Sequence, residues 1–250
     1  MSRYAPGGVN YSFGPGGLTP AIRAIIYGNV AIFVLTLFAP GFFVGAFGLI
    51  PEAVVERFQL WRIGTYLFLH DPNGFGHILF NMLFIWMFGV DLERRWGTVA
   101  FAKYYFITGL GAGLTVLLVS LLPLASVQSS YVFPTIGASG AVYGLLLAWA
   151  LVFPHRQVLL MMVIPVPARV FAGIMFAIAF LSAVSASSST VSHVAHLGGL
   201  VIGWLYLKGP GNFRLELSYR LTRWRMDRMR RRFEVRRGGR DDDDWRNRVH

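Results

Sequence analysis

Cysteine is absent from this chain of 250 residues. Its absence excludes a disulfide framework, thiol catalysis and a metal site built on cysteine. Charge is scarce as well, because Asp, Glu, Lys and Arg make up 14% of the residues while 55% are hydrophobic. Soluble domains carry about 25% charged residues. The same composition argues against collagen, a coiled coil and wholesale disorder.

The few charges are also unevenly placed along the chain. From Lys208 onward lie 14 of the 23 Lys and Arg residues and 7 of the 12 Asp and Glu residues. The first 207 residues therefore hold too few charges for a soluble surface, and they predict an integral membrane protein. The N-terminal residues do not show the basic and apolar pattern of a cleavable signal peptide. We expect the first hydrophobic helix to serve as the targeting signal and to remain in the mature protein.

The stretches without Asp, Glu, Lys or Arg give the number of membrane spans. A transmembrane helix needs about 20 apolar residues. Four charge-free stretches are long enough for one helix or two: 24–51, 72–90, 104–155 and 170–207. Breaks near 123–134 and 182–189 divide the last two, which gives six predicted helices. Segment 157–168 is too short to cross and contains two prolines, so it predicts an interfacial connection.

The positive-inside rule orients these spans. Basic residues lie near 91–103, near 154–169 and in the tail, whereas the loops 122–135 and 182–192 have none. Both termini are therefore predicted to be cytoplasmic. The sequence divides into an N-terminal segment over 1–20, a membrane domain over 21–207 with a long outer loop at about 41–75, and a flexible basic tail over 208–250. Contact of this tail with anionic lipid head groups is the alternative to simple flexibility.

Two polar side chains share one face of the second predicted helix. His77 and Asn81 are four residues apart in an otherwise apolar segment. Polar groups at membrane depth are costly and usually face a cavity or a partner. Hydrogen bonding between helices is the structural explanation of this pair, and donation to a reacting group is the functional one.

The fourth predicted helix begins with a serine among small residues. Ser139 follows Gly137, and Gly140 and Gly144 form a GxxxG face that lets another helix approach closely. Tyr143 lies one turn beyond Ser139 on the same face. A lone serine in such a place is more often a packing residue than a nucleophile. The segment differs from the nucleophile elbow of α/β hydrolases, since no strand precedes it.

The sixth predicted helix presents a complementary surface. It carries His196, with Gly199 and Gly203 on roughly the same face. If the glycine faces of the fourth and sixth helices pack together, Ser139 and His196 meet as a nucleophile and its base.

An oxyanion site can be assembled beside such a dyad. His77, Asn81 and the backbone N–H groups at the start of the fourth helix are candidate donors to it. The last four helices contain no acidic residue to complete a triad. Tyr143, packed on the imidazole, is therefore our candidate for orienting His196. The missing acid predicts a slow enzyme.

These motifs together resemble the rhomboid family of intramembrane serine proteases over about residues 45–207. The shared features are Trp61–Arg62, His77-x-x-x-Asn81, Gly137-x-Ser139-Gly140 and Ala195-His196-x-x-Gly199. The resemblance implies an all-α, polytopic bundle of six transmembrane helices that cleaves single-span membrane proteins near the outer face.

The resemblance also implies a role for each site residue. Ser139 is the expected nucleophile and His196 the expected base, with Tyr143 packed on that base. His77, Asn81 and Gly137 would stabilise the oxyanion. Trp61 and Arg62 would anchor the long loop; from composition alone they are an interfacial aromatic residue and a snorkelling arginine.

Two other functions are alternatives to proteolysis. A catalytically silent rhomboid-like protein that escorts membrane clients would lack Ser139 or His196, and both are present. A transporter with a histidine proton relay would need acidic partners in its helices, and it often shows an internal repeat that this sequence lacks.

The expected partners are transmembrane protein substrates and membrane lipid. No cofactor, metal or nucleic acid is expected, and the oligomeric state is left open. The Arg-rich tail favours a bacterial inner-membrane protein.

Overall fold

A computed structural model describes residues 14–123, 130–160, 164–184 and 190–232. Within them the helices are α1 (Pro20–Phe38), α2 (Pro40–Phe47), α3 (Pro51–Arg57), α4 (Arg62–Thr65), α5 (Phe75–Trp96), α6 (Thr98–Ser120), α7 (Ser139–Val152), α8 (Ala168–Val184), α9 (Thr190–Lys208) and α10 (Pro210–Arg232). A 3-10 turn covers Tyr66–Phe68, and two short strands are β1 (Gln157–Leu160) and β2 (Ile164–Pro167). The all-α class predicted from the sequence is confirmed.

Membrane-spanning capacity follows from helix length and hydropathy. Among the described residues, α1, α5 and α6 are each long and apolar enough to cross a membrane. α7 and α8 are apolar but shorter, with 14 and 17 residues. These five and α9 occupy the positions of the six predicted spans, and six crossings stays a prediction.

α6 lies at the centre of the bundle, packed against both α7 and α9. Small residues of α6 also let the long loop approach: a Cβ on Gly109 would lie 2.8 Å from Leu67, and one on Gly113 would lie 2.8 Å from the Tyr66 ring. The Tyr66 hydroxyl donates to the Gly109 carbonyl oxygen at 2.7 Å. The long loop is thereby attached directly to the central helix.

The predicted interfacial connection is an antiparallel hairpin. β1 pairs with β2 from Gln157↔Pro167 to Leu160↔Ile164, and the turn residues 161–163 lie outside the described residues. Arg156 in front of the hairpin pairs with Asp91 of α5, and Trp149 of α7 donates to the same carboxylate at 3.2 Å. The hairpin end of the bundle is thus tied to two helices.

The tail departs from the prediction of a flexible segment, because Pro210–Arg232 form α10. Arg, Leu and Met are strong helix formers. The Arg95 guanidinium at the end of α5 lies 4.5 Å from the centre of the Tyr219 ring, which holds the helix against the bundle. The tail beyond residue 232 and the predicted cytoplasmic residues 1–13 lie outside the described residues.

Candidate active site

Ser139 and His196 are brought together from two different helices. Ser139 is the first residue of α7, and His196 lies in the first half of α9. The His196 Nε2 and the Ser139 Oγ are 2.8 Å apart, a hydrogen-bonding distance. A proton on the serine hydroxyl is therefore within direct reach of the imidazole.

The four glycines named from the sequence form the crossing of α7 and α9. A Cβ on Gly199 would overlap the carbonyl oxygen of Gly140, so the two backbones touch there. One turn further, a Cβ on Gly203 would lie 3.4 Å from the Gly144 Cα. Side chains larger than hydrogen would separate these helices, and with them Ser139 and His196.

Tyr143 lies flat on the imidazole of His196. The ring centroids are 4.3 Å apart and the planes differ by 11°. In the part of the chain that the structure describes, the His196 Nδ1 has no hydrogen-bond partner. The ring is therefore oriented by stacking and by the Ser139 contact, in place of the acid that completes a triad.

His77 lies beside the segment that leads to Ser139. Its Nε2 lies 2.7 Å from the position that a Cβ on Gly137 would take. Gly137 also has a positive φ of 116°, which favours glycine for a second reason. The imidazole thus lies against the backbone two residues before Ser139.

The sequence predicts that Gly137 helps to stabilise the oxyanion, but its backbone N–H is not free to do so. Its N–H donates to the Tyr66 carbonyl oxygen at 3.0 Å and is already used. The backbone hydrogen bonds within α7 begin with the Val142 N–H, which donates to the Ala138 carbonyl oxygen. The Ser139 N–H comes before this bond and has no acceptor within the helix. Ser139 itself is therefore the better backbone donor, and Gly137 admits His77 to the site.

Asn81 is buried one turn beyond His77 on α5. Its Nδ2 donates to the carbonyl oxygen of His77 at 2.7 Å. Within the described residues, its Oδ1 has no hydrogen-bond partner. An amide nitrogen carries two hydrogens, so Asn81 retains one donor after this bond.

Trp61 and Arg62 hold the long loop together. The buried Arg62 donates to the carbonyl oxygens of Gly45 at 2.6 Å and Gly48 at 2.7 Å, and to the Gln59 side chain at 2.6 Å. The half-exposed Trp61 donates to the Ala46 carbonyl oxygen at 3.1 Å. Both side chains therefore fix the end of α2 to the start of α4.

Two histidines near the site carry weaker sequence signals. The fully buried His70 ring lies edge-on to His77 with centroids 5.0 Å apart, and His193 lies edge-on to His196 at 5.7 Å. Burial, followed by the nearby His77, lowers the pKa of His70 to about 3, so this ring is neutral. His70 precedes a polar turn, a context typical of an exposed residue, and its burial could not be inferred from spacing.

The side chains around Ser139 indicate which chemistry the site can support. Across the described ranges, no group of three His, Asp or Glu side chains is arranged to hold a metal ion. The donor set is instead one hydroxyl, neighbouring imidazoles and an amide, which suits proton transfer and hydrogen bonding to an anion.

Comparison with known proteins identifies the family. Residues 57–209, more than half of the chain, match the rhomboid domain. The chain is similar to Rhomboid protein 1, mitochondrial, from Saccharomyces cerevisiae, with 33% identity over 133 residues that cover 53% of this chain and 37% of the relative. It is also similar to Rhomboid protease GluP from Bacillus subtilis, with 31% identity over 159 residues that cover 64% of this chain and 28% of the relative.

A longer match joins the chain to RHOMBOID-like protein 12, mitochondrial, from Arabidopsis thaliana, with 27% identity covering 77% of this chain and 60% of the relative. By contrast, the chain covers only about a third of the length of the yeast and Bacillus relatives. The apolar helices and the domain match agree on an integral membrane protein. On this evidence the chain belongs to the rhomboid family.

Proposed function

We propose that this protein is an intramembrane serine endopeptidase that uses Ser139 and His196 as a catalytic dyad. The observation that carries the proposal is the 2.8 Å contact between the Ser139 Oγ and the His196 Nε2. A nucleophile becomes reactive when a base within hydrogen-bond reach can take its proton. The similarity to a relative named a rhomboid protease adds support.

The reaction follows from this contact. The Ser139 Oγ bonds to the carbonyl carbon of the scissile peptide while His196 Nε2 takes the hydroxyl proton. When the tetrahedral intermediate collapses, the C–N bond breaks and His196 passes that proton to the leaving amine. A water molecule then attacks the acyl-enzyme with His196 again as base, which releases the acid and restores Ser139.

The intermediate places a negative charge on the former carbonyl oxygen. His77 beside Gly137, the Ser139 N–H and the remaining Asn81 donor are the proposed donors to this charge. Fixed donors in a low-dielectric site stabilise such a charge strongly, and one donor is typically worth about 10²–10³ in kcat.

The substrates we propose are single-span membrane proteins, cut within or near the membrane. The site lies at the end of α7 opposite the basic connection that holds Arg156, which under the positive-inside rule supports a site toward the outer side. Both termini are then cytoplasmic, with residues 21–207 as the membrane domain. A bacterial inner-membrane location stays a prediction, because the relatives include mitochondrial proteins.

The test uses matched substitutions in purified protein reconstituted into lipid. Ser139→Ala and His196→Ala should each abolish cleavage of a single-span substrate and labelling by a fluorophosphonate probe. Ser120→Ala and His155→Ala are the controls. Ser120 is buried, but its hydroxyl bonds only to a carbonyl oxygen of its own helix. The exposed His155 follows the end of α7 that is opposite Ser139.

Both control variants should retain full cleavage. Near-normal cleavage by Ser139→Ala would disprove the dyad. Folded wild-type protein that binds single-span clients but leaves them intact would favour the escort function.

A further inference from the structure

The turn that leads into α5 contains an interaction with His77 that the dyad does not explain. The backbone N–H of Asp71 donates to the His77 Nδ1 at 3.3 Å. An imidazole nitrogen can accept a hydrogen bond only through its lone pair. The neutral ring must then carry its proton on Nε2, the nitrogen that lies against Gly137.

The Asp71 side chain stabilises this turn. Its Oδ1 accepts hydrogen bonds from the Asn73 backbone N–H and from the Asn73 Nδ2, both at 2.9 Å. The sequence Asp71-Pro72-Asn73-Gly74 follows the residue preferences of a type I turn, with proline at the second position and glycine at the fourth. A carboxylate that accepts the N–H two residues later is an Asx turn.

The turn is joined to the helix without an intervening residue. Gly74 is the N-cap of α5, so His77 lies in the first helical turn, where its ring can fold back onto Asp71. Asp71 is half-buried, whereas Asn73 and Gly74 are exposed. The half-buried end of the turn is therefore the end that contacts the imidazole.

We propose that Asp71 is a positioning residue for His77: its Asx turn presents the Asp71 N–H to Nδ1 and so keeps the Nε2 proton directed at the oxyanion. This inference rests on the proposed function, because it gives His77 its role through the intermediate at Ser139. Asp71 itself touches neither the dyad nor the position of the scissile bond. Its effect passes through the tautomer and orientation of one ring.

Three substitutions separate turn geometry from charge. Asp71→Ala removes the acceptor of the turn. Asp71→Asn removes the charge but keeps a side-chain oxygen that can accept the hydrogen bond from the Asn73 backbone N–H. Asn73→Ala keeps this backbone N–H and removes only the Asn73 Nδ2 donor. We expect kcat to fall about ten- to a hundredfold in Asp71→Ala, with KM within about twofold, because loss of a whole oxyanion donor costs about 10²–10³. Asp71→Asn and Asn73→Ala should remain within about threefold of wild type.

Two further measurements show whether the effect passes through His77. In a His77→Ala background, Asp71→Ala should cause no additional loss of kcat. In protein with ¹⁵N-labelled histidine, the His77 signals, assigned by difference with His77→Ala, should show a protonated Nε2 in wild type and a mixture of tautomers in Asp71→Ala. The spectra can be recorded in the Ser139→Ala protein, so this readout is independent of proteolysis.

The inference is overturned if Asp71→Asn loses as much activity as Asp71→Ala, if the two losses multiply in the double variant, or if the tautomer does not change. A failure of the proposed function looks different, since Ser139→Ala would then cleave as well as wild type, or the wild-type protein itself would leave the substrate intact.

Discussion

Gly199→Ala tests whether the approach of two helices is what creates the dyad. The substitution adds one methyl group where α9 crosses α7. That methyl would overlap the carbonyl oxygen of Gly140, which belongs to a helix backbone and cannot rotate aside as a side-chain tip can. The added atom can therefore be accommodated only if the two helices move apart.

The size of the effect follows from the distances. Ordinary contact between a Cβ and its neighbours begins at 3.4 Å. Restoring that contact requires a separation of roughly 1 Å or more, and a misplacement of about 1 Å can reduce a rate about 10²-fold. The 2.8 Å contact between Ser139 and His196 would lengthen beyond hydrogen-bonding range. Overpacking of this kind also lowers stability by about 1–3 kcal/mol.

The assay compares Gly199→Ala with Gly173→Ala. Gly173 lies on α8, and a Cβ there would meet no atom within 4 Å, so the same chemical change should leave cleavage and thermal unfolding near wild type. Cleavage of a single-span substrate, the rate of fluorophosphonate labelling and the unfolding temperature are measured in the same lipid. The reasoning is refuted if Gly199→Ala cleaves the substrate at a rate within about threefold of that of Gly173→Ala.

Three other substitutions separate stability from catalysis. Glu93 is buried and accepts four hydrogen bonds at the start of α1 and α6. Glu93→Gln should lower the free energy of unfolding by about 2–3 kcal/mol and leave the kcat of the folded protein unchanged. The control Glu52→Gln, at the surface, should change the free energy of unfolding by less than about 0.5 kcal/mol. Asn81→Ala should reduce kcat by less than about tenfold, because one N–H of the Asn81 amide already bonds to a carbonyl oxygen of α5. A lowered unfolding temperature with intact kcat would assign Asn81 a purely structural role. The sequence also predicts that the fifth helix, about 168–185, opens as a gate for the substrate, because it has no polar or GxxxG anchor. The buried Phe171 ring packs 6.2 Å from a phenylalanine ring of α5, so Phe171→Ala should lower the free energy of unfolding by up to about 3 kcal/mol while leaving cleavage equal or faster. The exposed Phe176→Ala should change neither quantity, and slower cleavage by Phe171→Ala would argue against this gate.

Much of the site could be anticipated because polar side chains in long apolar helices are rare. Ser139 and His196 each stand out in a glycine-lined segment, and glycines spaced for close helix contact point to one another. Tyr143 follows from its position one turn beyond the serine. These arguments rely on helical spacing alone, which the sequence gives directly.

Other features depend on backbone hydrogen bonds that spacing does not reveal. Nothing in the residue pattern indicates that the Gly137 N–H bonds to Tyr66, which removes it from the set of oxyanion donors. The bond from Asp71 to the His77 ring depends in the same way on how a turn folds back. The sequence predicts only an interfacial connection where β1 and β2 form a hairpin, because strands of four residues each are too short to show a clear pattern.

The substrate gate expected from the sequence consists of the fifth predicted helix, about 168–185, and an outer cap near 182–192, and the structure describes only part of it. Helix α8 ends at Val184, and the cap expected near 182–192 includes residues 185–189 that lie outside the described residues. Phe176 and Phe180 stack on each other and are about half exposed, whereas Phe171 is buried toward α5. The gate formed by α8 and this cap therefore stays a prediction.

The shortness of α7 predicts where the proposed protease would cut its substrate. Its 14 residues rise about 21 Å, against about 30 Å of membrane hydrocarbon. Its inner end adjoins the charged pair of Asp91 and Arg156, which belongs at the membrane surface. The remaining 9 Å or so therefore lies above Ser139, and tilt of the helix would deepen it. An extended peptide rises about 3.3 Å per residue, so the proposed protease would cut a bond about three residues inside the outer boundary.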